Sequence, residues 1–212
     1  MNDNLGLIGL EFFGKVTASV SHELKNRLAV INEQAGLLDD HVSLGRQGRE
    51  LDLERLKKLS ATVQRQVALA NTVIKNVNGF AHSIDSPRQQ VDLNEALKLS
   101  AALSQRTADM REVSLEVQEL DEPIMVTTSY FRLLNLFWIC LNAAIEITAP
   151  RDKITAKLDK QAAEKVLLIR TTAAAGRKIS EDLAAAAGKL AADLGLPVEL
   201  DSAAGRIVVH FE

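Results

Sequence analysis

The sequence predicts an α+β protein in two parts: a long helical hairpin, then an α/β sandwich with helices on one sheet face. Three observations carry this. The first part of the chain holds two apolar stripes at helical spacing, with no proline inside either. The remainder mixes short strand-like runs with helical segments. Aromatic residues are only 4 % of a chain that is 47 % apolar, and alanine comes in runs (Ala173–Ala175, Ala184–Ala187), a mix that leans toward helix.

The first stripe runs through Val16, Val20, Leu24, Leu28, Ile31, Ala35 and Leu38, in steps of three and four. A polar stretch with two glycines, His41 to Arg49, reads as the turn. The second stripe is Leu56, Leu59, Val63, Val67, Ala70, Ile74, Val77, Ala81 and Ile84, with a mean step of about 3.5, the coiled-coil repeat. Pro87 ends it, because proline disfavours helix in the residue before it. A hairpin this long cannot hide both stripes by itself. Two hairpins from two chains would make a four-helix bundle, so a homodimer is expected; packing of the hairpin on the second half of its own chain is the alternative.

The expected division is residues 1–87, a hairpin for dimerisation, and 88–212, the sandwich. In the second part a helix spans Asp92–Ala108 with Asp92 as its cap. Val113–Gln118 and Pro123–Thr127 read as strands, and Ser129–Thr148 as a long apolar helix. Lys153–Leu158 and Lys165–Thr171 read as a strand hairpin, Ser180–Leu194 as a helix, and Pro197–Asp201 and Arg206–Glu212 as closing strands.

Composition narrows the function. At 212 residues the chain has room for one or two domains and a real core. A single cysteine, Cys140, excludes an internal disulfide framework and a multi-cysteine zinc site. The net charge of −3 is not the basic excess of a nucleic-acid binder. The longest apolar run, around Phe131–Ile147, is broken by Asn135, Asn142 and Glu146, so no membrane span is expected. No basic segment followed by an apolar stretch opens the chain, and a cytoplasmic location without a sensor domain is the expectation. Residues 1–86 balance ten basic against ten acidic residues; residues 87–212 hold fifteen against eighteen. Neither half offers a positive field for a polyphosphate.

His22 lies two residues from both Val20 and Leu24, about 200° around the helix from either, and so faces away from the stripe. Ser19, Lys25 and Asn26 share its face at i−3, i+3 and i+4, and Glu23 is adjacent. A neutral imidazole can attack phosphorus while a carboxylate holds its other N–H. The spacing alone favours the plainer reading, a solvated histidine among ordinary helix charges. His41 falls in the expected turn, His82 at a helix end and His210 in a terminal strand.

The segment Phe13-Gly14-Lys15-Val16-Thr17-Ala18-Ser19-Val20-Ser21-His22-Glu23-Leu24-Lys25-Asn26-Arg27-Leu28 resembles the H box of sensor histidine kinases, and Gln90–Leu97 resembles the junction between that family's two domains. The resemblance implies a dimeric hairpin followed by an ATPase-like sandwich of the GHKL type. It implies that His22 is the phosphoacceptor, Glu23 its base or orienting carboxylate, and Asn26 a residue able to position water. Arg27 departs from the family's usual proline.

At the nucleotide positions the resemblance fails. Asn142-Ala143 fits the second asparagine of the family's N box, but the position four earlier, where an asparagine ligates magnesium, is Trp138. An indole cannot replace the hard oxygen ligand that magnesium requires. Where the family has D-x-G-x-G, Thr172 replaces the aspartate and Ala174 the first glycine, leaving Gly176. The flexible ATP lid is missing: Gly176–Ser180 runs almost directly into the next helix. Three losses together argue against ATP binding.

A phosphoacceptor histidine without a kinase site resembles histidine phosphotransferases of the ChpT type. The expectation is reversible transfer between His22 and aspartates of response-regulator receiver domains, with no cofactor bound by this chain and Mg2+ held by the receiver. Lys25 could offset charge in the transition state or be a plain surface lysine. The receiver would dock around Ser19, Asn26 and the stretch Ala70–Phe80. A kinase core with a divergent ATP site, a phosphatase and a non-catalytic adaptor are the rivals.

Overall fold

In a computed structural model, which describes residues 3–161, 164–172 and 176–211, the chain has the α+β architecture expected. Helices α1 (Asp3–Arg46) and α2 (Leu53–Ala81) form the hairpin, followed by a 3-10 turn at His82–Ile84. Then come β1 (Gln89–Asp92), α3 (Leu93–Met110), β2 (Ser114–Gln118), β3 (Met125–Thr128) and α4 (Tyr130–Ile147). The chain closes with β4 (Lys153–Gln161), β5 (Glu164–Thr171), α5 (Glu181–Leu194), β6 (Val198–Asp201) and β7 (Arg206–Phe211).

Two compact units emerge: residues 17–78, and residues 1–16 together with 79–212. In the hairpin unit α1 continues past His41, so that histidine is helical and not in the turn. The helix stops at Arg46, and Gly48 adopts φ +82°, a left-handed conformation glycine takes without a Cβ penalty. The Asp52 carboxylate accepts from the Arg55 backbone N–H (2.9 Å) at the start of α2.

Burial within the hairpin follows two seams. On α2, Leu59, Gln66 and Val73 repeat every seven residues and are buried; Leu56, Val63, Ala70 and Val77 are half-buried beside them. One step further round, Val67 and Ile74 are exposed at 44 % and 46 %. On α1 a half-buried column is partly polar, running through Glu23, Arg27, Val30, Gln34 and Leu37, and its Arg27 reaches Gln66 of α2. The apolar stripe legible in the sequence lies beside it, with Leu24, Ile31 and Leu38 half-buried, Ala35 exposed, and Leu28 exposed at 61 %. Each helix therefore carries an inner seam, used within the chain, and a second apolar seam that the chain leaves open.

The other unit holds a five-stranded sheet in the order β2-β4-β5-β7-β6, with β2 and β4 parallel and the remaining pairs antiparallel. Alternation of period two sends Ile154, Ala156, Leu158, Leu167, Ile169, Ile207, Val209 and Phe211 into the core. Helix α4 provides the other wall, with every residue from Leu133 through Ile145 buried. Its length and mean hydropathy of 1.3 would suffice to cross a membrane, and 78 % of it is buried inside this unit.

The Asp92 side chain accepts from the Asn94 N–H (2.9 Å) and caps α3, as expected. Strand β1, which is not among the expected elements, pairs antiparallel with β3 (Val91 opposite Val126). Helix α5 ends on Gly195 at φ +69°, with the Leu196 N–H returning to the Ala191 carbonyl (2.9 Å). Residues 3–16 join this unit through aromatic packing. Buried Phe12 meets Phe80 edge-on at 5.1 Å, Trp138 at 5.3 Å and Phe131 at 5.6 Å between ring centroids.

Candidate functional site

His22 sits mid-way along α1, where an uninterrupted helical hydrogen-bond ladder fixes the direction of the side chain. It is exposed. Along its face Ala18, Lys25, Asn26 and Ala29 are exposed too, and Ser19 is half-buried.

Glu23 behaves differently from its neighbour. It is half-buried, and its Oε1 accepts from Arg27 Nη2 at 3.0 Å. Arg27 Nη1 also donates to Gln66 Oε1 of α2 at 3.4 Å, and Gln66 is 8 % exposed. The Arg27 Nε is buried without a partner. The carboxylate next to the imidazole thus belongs to a Glu23–Arg27–Gln66 chain that ties α1 to α2. Neither Arg27 nor Gln66 is among the partners expected from sequence for Glu23. The four-residue spacing of Glu23 and Arg27 was a visible signal, whereas Gln66 could be found only by knowing the register of the two helices.

The nucleotide-like positions lie in the other unit. Trp138, in the middle of α4, is 8 % exposed; its indole packs on Phe12, and Lys15 Nζ lies over the ring at 5.8 Å from the centroid. One turn on, the Asn142 side-chain amide donates back to the Trp138 carbonyl at 2.7 Å and to Ser104 Oγ at 3.4 Å. Both N–H donors of that amide thereby have partners inside the protein. Between them Cys140 is fully buried, and burial pushes its thiol up to about 12.

At the end of β5 the Thr172 hydroxyl accepts from the Lys153 N–H (3.0 Å) and lies 3.2 Å from both Asp152 Oδ1 and the Lys153 carbonyl. It can donate to one of these two at a time, so its job here is to close the β4–β5 end. Gly176 is exposed at φ +67°. Ala174 lies outside the described residues.

A further residue, Glu146, was not singled out from sequence. It stands one turn beyond Asn142, and its Oε2 accepts from the Ser180 N–H at 3.0 Å, tying the segment before α5 to α4. Glu181 and Asp182 occupy the first turn of α5. Three carboxylates therefore surround this helix start, where a triphosphate would need cations or open amides. Among the described residues no group of three or more His, Cys, Asp or Glu side chains is arranged to hold a metal ion.

No protein-family model matches the sequence, and no curated protein matches it. Solved structures do resemble its chain path at low identity. The Acinetobacter baumannii histidine kinase AdeS is 12 % identical, with a TM-score of 0.47 over 89 % of this chain and 95 % of that one. A histidine kinase from Burkholderia phymatum is 15 % identical, with a TM-score of 0.44 over 88 % of this chain and 96 % of that one. A bacterial phosphotransferase is 12 % identical, with a TM-score of 0.48 over 96 % of each chain.

Proposed function

We propose that this chain is a homodimeric histidine phosphotransfer protein that takes a phosphoryl group from, and returns it to, receiver-domain aspartates on His22, without binding ATP. The observation that carries the reading is the exposed imidazole of His22 on a helix face lined by small or polar side chains. A globular partner can bring an aspartyl phosphate up to such a face. The side chains at the nucleotide-like positions add support for independence from ATP, since Trp138, Asn142 and Thr172 are each committed to packing or hydrogen bonds of the fold.

In the forward step the unprotonated ring nitrogen attacks phosphorus in line. The N–P bond forms as the O–P bond to the aspartate breaks, and the carboxylate leaves with the electron pair. The transition state is loose, with charge spread over the equatorial oxygens. Lys25 adds a cation one turn from His22, and magnesium held by the receiver would supply the rest of the charge neutralisation. The other ring nitrogen keeps its proton. Asn26, on the same face, offers amide contacts to the incoming phosphoryl group. Glu23 orients the imidazole only so far as its bond to Arg27 permits, which suits a transfer protein better than an autokinase that needs a free base.

The open seams of α1 and α2 support the dimer. Leu28, Ala35 and Val42 on one helix and Val67 and Ile74 on the other are the apolar faces that a second hairpin would cover.

The test mixes the protein with a phosphorylated receiver and magnesium. Acid-labile, alkali-stable label should appear on the wild-type chain and be absent from His22→Gln. Label arising from Mg-ATP alone would restore the kinase reading. Failure with a broad receiver panel would leave an adaptor.

A further inference from the structure

The sandwich unit is acidic, yet one cavity in it is lined by three cationic side chains. It has a volume of about 490 Å3 and lies where the start of α4, the end of α5 and the start of β5 converge. Arg88, Arg132 and Lys165 come from three separate segments of the chain, and among the described residues Asp193 is the one acidic side chain in the lining. Asp193 Oδ2 is 2.5 Å from Arg132 Nη1, so that charge pair is internally balanced. Among the described lining residues, Arg88 and Lys165 remain as two net positive charges.

Two features make the place more than a surface patch. Arg88 Nη2 donates to the Thr127 carbonyl at 3.0 Å, which fixes the guanidinium at the rim while leaving its other N–H donors for a ligand. Ser129, the N-cap of α4, makes no side-chain capping bond, so the first-turn amides of that helix are not satisfied by it. Apolar wall is supplied by Leu133, Leu196 and Phe211. The volume falls within the usual range of small-molecule sites, about 300–1,000 Å3.

The cavity is remote from the nucleotide-like positions. Lys165 begins β5 and Thr172 follows its end, roughly 20 Å apart at about 3.3 Å per residue. Arg132 and Asn142 are separated by ten residues of α4, or roughly 15 Å.

We propose that this cavity binds a small organic phosphate monoester, with the phosphoryl group between Arg88, Lys165 and the start of α4, and the organic body against Leu133, Leu196 and Phe211. A phosphate monoester carries a charge of about −1.5 to −2 at neutral pH, which matches the two cations that Asp193 leaves unbalanced.

Calorimetric titration of the full-length chain with phenyl phosphate tests this, with inorganic phosphate, benzoate and benzyl alcohol as comparison probes. Phenyl phosphate should bind at least about tenfold more tightly than any of the three, and Arg88→Gln and Lys165→Gln should each weaken it by about tenfold or more. Lys57→Gln, which removes the same charge from the hairpin, should bind as wild type does. Unchanged thermal melting of the cavity variants would exclude misfolding as the cause. The proposal is overturned if phenyl phosphate gives no binding at millimolar concentration. It is equally overturned if inorganic phosphate or benzoate binds as tightly, or if both cavity variants bind as wild type does.

Discussion

Arg27 reaches back one helical turn to Glu23, Nη2 to Oε1 at 3.0 Å, while its other amino group contacts Gln66 on the second helix. Both members of the ion pair are about a third exposed, at 31 % and 34 %, so water screens it only in part. Arg27→Ala should lower hairpin stability by about 1 kcal/mol, the sum of a helix-spaced pair and a shared hydrogen bond. Arg27→Pro should cost about 3 kcal/mol, because proline removes a mid-helix N–H as well as the guanidinium. Urea unfolding followed by circular dichroism measures both. A proline variant as stable as the alanine one would show that the helix is already bent there.

Much of the fold was legible from spacing, and particular residues show where legibility stopped. The stripe through Leu24, Leu28 and Ile31 follows from sequence because period is a one-dimensional property. Which partner covers it does not, since the bond that ties α1 to α2 runs through Arg27, beside the stripe and not on it. Strand β1 was hidden because Gln89-Gln90-Val91-Asp92 has no β-branched run, and its pairing with β3 depends on residues some 35 positions away. At the candidate site, the outward direction of His22 was readable from helix geometry. The bonds that occupy Asn142 and Thr172 were not, because a sequence does not say whether an amide or hydroxyl is already spent on the backbone.

The open seams give a test of assembly. Leu28→Asp and Ile74→Asp place carboxylates on positions exposed at 61 % and 46 % in the single chain. Neither change should harm the monomer fold, since both side chains face outward. In the four-helix bundle each would bury a charge next to its symmetry mate. Sedimentation should therefore find a dimer for wild type and a monomer with unchanged helix content for the double variant. A double variant that stays dimeric would move the interface elsewhere.

Trp138 separates packing from ligand binding. With its indole 8 % exposed and packed on Phe12, Trp138→Ala should destabilise the sandwich unit by about 3–5 kcal/mol. Trp138→Asn should be similarly costly and should still show no thermal shift with Mg-ATP, because Glu146, Glu181 and Asp182 keep the start of α5 anionic. A clear upward shift with Mg-ATP in the asparagine variant would mean that the tryptophan alone blocks the nucleotide.

Cys140 supplies a pH test of the core. Burial raises its thiol from 9.0 to about 12, so the folded protein disfavours the thiolate that the unfolded chain forms readily. A folded-state pKa above the unfolded one contributes stability that is complete below the unfolded value and is lost as pH rises toward the folded value. Stability from this group should therefore be flat below pH 9 and decline from pH 9 to about 12. Cys140→Ala should lack that component of the decline, at the cost of a small cavity. In native protein at pH 8 the thiol should resist a water-soluble disulfide reagent and react only after unfolding. Rapid labelling of the folded chain would show that the helix carrying Trp138 and Asn142 opens far more readily than its burial implies.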